Sequence, residues 1–195
     1  MVSIAEANMR RIAAALVLFG LALAQTLEVA SGEARYRVKE ELLGVGIAEA
    51  VGTTKEVKGQ VAFQNGKWSG KLVVNLGSLK SDQARRDNYL RQNTLQTARF
   101  PEAVFVPVEV KGLPNPWPRE GRLPVEVVGD LTIRDVTQRV SWKGEAEFRG
   151  NEVRIQLQTA FPFERFGLVQ PRVPIVLSVE NNIRLEVDIV SRVRP

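Results

Sequence analysis

The chain has 195 residues, of which 44% are hydrophobic, 27 are basic and 22 acidic, for a formal net charge of +5. It contains no cysteine and no histidine, which excludes disulfides, thiolate nucleophiles, Ser-His-Asp arrangements, His-ligated zinc and imidazole acid or base chemistry. The length suits one domain with a sizeable core, and lysines and arginines that alternate with acids predict a solvated mixed-charge surface with no nucleic-acid partner.

At the amino terminus, Arg10 and Arg11 precede an apolar run from Ile12 to Ala24 that ends in Ala22-Leu23-Ala24. This pattern predicts a secretory signal peptide over residues 1–24, whose apolar run of 13 residues is too short to span a bilayer, which needs roughly 20. Its charged region starts naturally at Met9, so residues 1–8 read as an over-extended start. Residues 25–195 are then expected to be a single exported domain, periplasmic or secreted. Without a cysteine it cannot carry a lipoprotein anchor.

After a polar lead-in at Ser31 to Arg35, a first strand is predicted from Tyr36 to Leu43, continuing past Gly44 through Val45 and Ile47. A hairpin follows. Its first strand, Glu56 to Gln64, places Val57, Gly59, Val61 and Phe63 on one face; Asn65-Gly66 makes the turn; Gly70 to Leu76 returns with Leu72, Val74 and Leu76 inward. From Ser81 to Thr94 the alternation stops and helix-forming residues take over, with Ser81 as the expected cap and Asp82 in the first turn. Phe100-Pro101 ends this segment. Val104, Val106, Val108 and Val110 predict the next strand, where Phe105 on the other parity and Pro107 mark an edge or a bulge. Gly112 to Pro124, with Pro114, Pro116, Trp117 and Pro118, reads as a loop.

The clearest pattern lies between Val125 and Phe161. Val125, Val127, Leu131 and Ile133 share one face, and then Val140, Trp142, Gly144, Ala146 and Phe148 alternate with Ser141, Lys143, Glu145 and Glu147. Gly150-Asn151 supplies a turn, after which Val153, Ile155, Leu157, Thr159 and Phe161 resume the alternation. Pro162 to Pro174 breaks the pattern next to the aromatic cluster Phe161, Phe163 and Phe166, and a last strand, Asn182 to Ile189, puts Ile183, Leu185, Val187 and Ile189 inward. Roughly eight strands joined by short turns, with one helical insertion, predict an all-β, up-and-down antiparallel barrel; a two-sheet β-sandwich is the alternative.

The stretch Gly129-Asp130-Leu131-Thr132-Ile133-Arg134-Asp135-Val136-Thr137 resembles a motif of the YceI family of exported, lipid-binding barrel proteins, in which a glycine is usual at the place of Asp135. Aspartate tolerates left-handed turn geometry, so the turn is expected to survive there. Arg86, Asp87 and Leu90 are similar to the family's Arg-Asp-x-x-Leu, Ser78 to the serine that ends the preceding strand, and Phe100-Pro101, Phe105 and Phe166-Gly167 to further family positions. The resemblance covers Tyr36 to Val190. It implies an eight-stranded lipocalin-like barrel that holds a long polyisoprenoid, an isoprenoid quinone or a similar amphiphile, with no catalytic residues and no metal. Two positions depart from the family: no histidine follows the first strand, and Phe163 stands where many relatives have an arginine, with Arg165 as the nearest substitute.

The candidate pocket is therefore the inward series Val61, Phe63, Leu72, Val74, Val104, Val127, Leu131, Trp142, Phe148, Val153, Ile155, Leu157, Leu185 and Val187, with Phe163 and Phe166 at one mouth. Gly129, Gly144 and Ala146 are the small residues expected to leave a channel. Periodicity alone favours a packed core at these positions, because eight strands enclose either side chains or one slender ligand; the resemblance favours a cavity. Trp68 and Trp117, in turn and loop segments, read as packed on their own domain, with transient membrane contact as the functional alternative. The segment around Arg85, Arg86, Asp87, Tyr89 and Arg91 reads as fixed to the barrel rim by its charges, with a lid or headgroup-steering patch as the alternative. The carboxylate pairs Asp130 with Asp135 and Glu145 with Glu147 lie on the polar face, where no cleft is implied. A secreted adhesion module using an exposed strand edge is the competing class, and a homodimer is compatible with either.

Overall fold

The structure is a computed structural model that describes residues 25–171 and 176–194; the expected signal peptide lies outside the described residues. Strand β1 (Gln25–Leu42) takes in the expected polar lead-in. A register shift between Val29 and Ser31 moves its inward parity from Leu27 to Ala34, Tyr36 and Val38, so no single alternation runs through the strand. Nor do Val45 and Ile47 prolong it. Leu43, Gly44 and Val45 form a turn into β2 (Gly46–Thr54), whose inward Ala48, Ala50 and Gly52 are too small to give an apolar signal. A Cβ added at Gly52 would stand 2.1 Å from Cε1 of Tyr36, so only glycine lets that ring lie across the neighbouring strand.

The hairpin β3 (Val57–Gln64) and β4 (Lys67–Asn75) forms as the pattern predicts, and Trp68 belongs to the strand and not to the turn. After the helical insertion come β5 (Glu102–Lys111), β6 (Glu120–Ile133), β7 (Val136–Arg149), β8 (Glu152–Phe161), β9 (Val176–Val179) and β10 (Ile183–Arg194). β1, β3 to β8 and β10 make a closed ring of antiparallel neighbours, because β10 pairs with both β8 and β1 while β1 pairs with β3 over Gln25 to Glu28. This is the eight-stranded barrel. A sandwich would leave open sheet edges where this ring has none. The second half of β1 leaves β3 and pairs instead with β2 and β9, which extend the wall at one end.

From β5 to β7 the local detail also differs from the sequence reading. In β5 the inward residues are Ala103, Phe105 and Pro107, with Val106 and Val108 exposed; a bulge between Pro107 and Glu109 then turns Val110 inward. Four valines in alternation mimicked an inward face, but the bulky ring opposite them took the interior. β6 starts at Glu120, within the stretch expected to be loop, since Leu123 and Val125 alternate with charged neighbours opposite β7. The tight turn between β6 and β7 places Arg134, not Asp135, at positive φ (57°).

The insertion is one turn and a half of α-helix, α1 (Ala84–Tyr89), continued by a π turn from Leu90 to Thr94. Its N-cap is Gln83, not Ser81. The Ser81 hydroxyl is committed to the Asp87 carboxylate, to which it donates at 2.7 Å. On the outer face, Arg37 pairs with Glu49 (2.9 Å) and Glu186 (2.9 Å), and Arg184 with Glu49 (2.9 Å), so basic and acidic side chains neutralise one another across strands.

Candidate functional site: the barrel interior

The inward side chains do not meet across the ring. They leave a cavity of about 720 Å³, within the 300–1,000 Å³ typical of ligand sites. Thirteen of the sixteen predicted pocket residues line it: Val61, Leu72, Val74, Val127, Leu131, Trp142, Phe148, Val153, Ile155, Leu157, Phe163, Leu185 and Val187. Three do not. Val104 points away from the interior because Phe105 holds the inward parity of β5. Phe63 packs against Trp68 with the rings tilted and their centroids 5.0 Å apart, and Trp68 takes the place on the wall. Phe166 is 0% exposed and packs on Phe161 at 4.6 Å, so it is core beneath the wall.

The small residues also act otherwise than expected. Gly129 makes no channel: a Cβ there would meet Cζ of Phe105 at 2.5 Å, so the space is the seat of that ring, which lies edge-on to Trp142. At Gly144 a Cβ would meet the Gln156 carbonyl oxygen of the adjacent strand, and only Ala146 of the three faces the cavity.

The two ends of the cavity differ. At one end, Trp68 and Trp117 stack at 5.8 Å with their planes 12° apart, packed with Leu27, Val61 and Phe148. Both tryptophans are thus part of their own domain, and both line the cavity. At the other end, the wall passes from Leu42, Ala48 and Val176 to the exposed Asp82, Gln83, Ala84 and Arg85 of the insertion, so the cavity reaches solvent there.

Charges hold that mouth in shape. Arg86 donates to Glu40 of β1 at 2.6 Å and to Asp82 at 2.6 Å, and the Glu40 side chain is 9% exposed. Burial works against the Arg86 charge, but the hydrogen bond it donates to Asp82 and the field of Glu40 outweigh it and hold its pKa above the ordinary guanidinium value. Asp87, also buried, accepts from the backbone N–H (3.0 Å) and the hydroxyl (2.7 Å) of Ser81. Arg86 therefore ties the insertion to the rim through Glu40, while Asp87, expected to pair with the rim as well, is bonded to Ser81 within the segment itself. Next to it, burial pushes the Tyr36 phenol up to about 12, so its hydroxyl stays protonated at neutral pH. Arg165 does not stand in for a family arginine in the cavity: it is exposed and donates to the Arg139 carbonyl.

Sequence reasoning missed Tyr36, Glu40, Phe105, Trp68 and Trp117 as wall residues. Phe105 carried a readable signal, an aromatic ring opposite four exposed-size valines. Glu40 carried none, since its partner Arg86 lies 46 positions away.

The sequence profile of the YceI-like domain matches residues 26–191. A UPF0312 protein of Shewanella denitrificans is 30% identical over 154 residues, covering 73% of this chain and 76% of its own length. Another, from Pseudomonas putida, is 27% identical over 167 residues, covering 80% and 83%. Among solved structures, a polyisoprenoid binding domain from Saccharophagus degradans superposes with a TM-score of 0.64 at 11% identity over 88% of this chain and 99% of that one. BcnA of Burkholderia cenocepacia gives 0.60 at 16% identity over 81% and 95%.

Replacing Arg86 with Met is expected to lower stability by about 2–3 kcal/mol in urea unfolding, below the 3–5 kcal/mol of fully buried pairs because Arg86 is partly exposed. The double variant Glu40→Gln/Arg86→Met should recover most of that loss, since no unpaired charge is left buried. Costs of the two single replacements that simply add in the double variant would show that the pair does not hold the rim.

Proposed function

The chain belongs to the YceI family, and we propose that it binds a long-chain polyisoprenoid or another amphiphilic lipid non-covalently inside its barrel, as a carrier or sequestering protein of the cell envelope. The observation that carries this reading is the cavity itself, walled by aliphatic and aromatic side chains from the Trp68 and Trp117 end to the mouth at Arg86. Burial at about 0.8 kcal/mol per carbon gives roughly 4 kcal/mol per isoprene unit, which holds a chain of a few units without any polar contact. The Saccharophagus degradans domain of the same fold, described as polyisoprenoid-binding, supports the ligand class. A non-catalytic role is supported by the placement of the carboxylates: Asp130 pairs with Arg139, and Glu145 and Glu147 with Arg122, all away from the cavity wall. The apolar leader ahead of Gln25 supports the cell-envelope location.

Exchange of such a ligand calls for contact between the cavity mouth and a membrane. The turn after β1 and the start of β2 support this contact, with Leu43, Val45 and Ile47 66%, 74% and 83% exposed beside Leu42 and Ala48, which line the cavity. Leu177 of β9, 58% exposed, continues the patch.

Native mass spectrometry of the purified protein is expected to find a hydrophobic adduct that organic extraction removes and added prenyl lipid restores. A protein that is consistently empty and ignores prenyl lipids contradicts the reading. Replacing Val45 and Ile47 with Asp is expected to lower transfer of a fluorescent prenyl lipid from vesicles at least tenfold. Unchanged transfer counts against membrane contact at this turn, and a dimer in gel filtration that the same replacements disperse assigns the patch to a second copy instead.

A further inference from the structure

Every two neighbours in the ring are paired, but not along their full length. β4 and β5 pair over a short ladder only, from Asn75 opposite Glu102 to Leu72 opposite Phe105. Continued in that register, Lys71 to Lys67 would stand opposite Val106 to Val110, yet β4 pairs there with β3 alone and β5 with β6 alone. Two residues end the ladder. Pro107 has no N–H to donate, and Gly70, which would face it, lies at φ 90° and is drawn onto β3, where an added Cβ would stand 2.3 Å from the Gln60 carbonyl oxygen. The bulge after Pro107 then turns β5 further. The outcome is a seam of about 17 Å, at roughly 3.3–3.4 Å per residue, with no strand pairing across it among the described residues.

Side chains close this seam instead. Trp68 of the β4 lip and Trp117 of the loop 112–119 stack at 5.8 Å with Leu113 packed beside them, and Pro107 and Val110 of the β5 lip also line the cavity. The seam therefore backs directly onto the apolar end of the interior. The loop that carries Trp117 is lightly held: Pro114, Pro116 and Pro118 have no N–H, and its main-chain bond to the barrel among the described residues is the Arg119 carbonyl, which accepts from Gly150 at 2.8 Å. Swinging Trp117 aside breaks an aromatic stack, whereas parting paired strands elsewhere breaks backbone hydrogen bonds. Outside the seam, Val106 and Val108 are 38% and 45% exposed, and the other lip offers only Ser69 and Gly70 beside Lys71, so a shallow apolar track leads away from it. The remaining large apolar residues on the surface, Leu43, Val45, Ile47, Val169 and Leu177, belong to the mouth end.

We propose that the seam is a side passage for the far end of the ligand: a hydrocarbon tail too long for the cavity passes between β4 and β5 as Trp117 swings off Trp68, and runs out along Val106 and Val108. This rests on the lipid-cavity reading above and adds where a long tail goes. A cavity of about 720 Å³ suits a drug-sized molecule and not a chain of about 45 carbons, so without the passage the barrel would reject such chains. Trp117 is thereby the residue that sets tolerance of chain length, and the two exposed valines keep part of the emerging tail out of water.

The chain has no cysteine, so one introduced by substitution is its only thiol. The test is the rate at which a water-soluble maleimide alkylates Ser69→Cys and Val108→Cys, one on each lip, in the extracted protein alone and loaded with farnesol or solanesol, isoprenoid alcohols of three and nine units. Binding of each alcohol is read by displacement of a fluorescent lipid. Solanesol is expected to slow both thiols at least fivefold and farnesol neither, with Asn151→Cys, in the turn between β7 and β8, unchanged by both. Trp117→Ala is expected to speed solanesol release about two- to tenfold, as loss of an aromatic stack allows, and to leave farnesol release unchanged, a split that a purely structural tryptophan would not give. Should Trp117→Ala fail to fold, the lip thiols decide alone. Solanesol that binds without protecting either lip, farnesol binding with no solanesol binding, or release of both alcohols speeded alike overturns the passage while leaving the lipid cavity intact. Failure of both alcohols to bind overturns the lipid cavity and the passage with it.

Discussion

The pairing of β1 with β10, carried from Thr26 opposite Arg194 to Arg37 opposite Arg184, is the contact on which the rest of the molecule depends. It turns a row of hairpins into a ring with no end strand, so the backbone hydrogen bonds are made between neighbouring strands and do not depend on a solid centre. With no disulfide to help, this closure and the packed ends of the barrel are what hold the sheet around an empty volume. The core is accordingly split: one cluster of buried side chains around Phe161, Phe163 and Phe166, another around Leu27, Phe148 and Trp117, with the cavity between their walls.

β1 is long enough to do more than close the ring. Its second half leaves β3 and carries β2 on one side and β9 on the other, and from this extension Glu40 reaches the insertion. The Glu40–Arg86 pair thereby ties the insertion to β1 at the mouth. The charged side chains of the cavity mouth lie at this end, whereas the Trp68 and Trp117 end is apolar apart from Ser191. An amphiphile has one orientation that matches this gradient, tail toward the tryptophans.

Much of the barrel could be read from residue order. β7 and β8 fold as their alternation predicts, because both strands have one solvated face along their whole length, and most of the cavity wall follows from the same parity. Where parity failed, a specific local event intervened. A register shift at Val29/Ser31 switches the inward set in the middle of β1, and the bulge at Pro107/Glu109 does so in β5. β2 was silent because Ala48, Ala50 and Gly52 leave room for Tyr36 instead of adding apolar bulk. The size of the interior was illegible for a different reason: alternation assigns a side chain to a face but says nothing of the distance across the ring, which depends on closure. The resemblance to YceI proteins supplied that expectation, and the ring of eight strands bears out the fold it implied.

The most direct test of the account is a crystal structure of the protein as purified, without extraction. The account predicts continuous, elongated non-protein density running from beneath Arg86, past Trp142, to the Trp68 and Trp117 stack. A barrel whose interior is closed, with Phe105 and Phe148 moved inward so that opposite walls touch and no density lies between them, would contradict it.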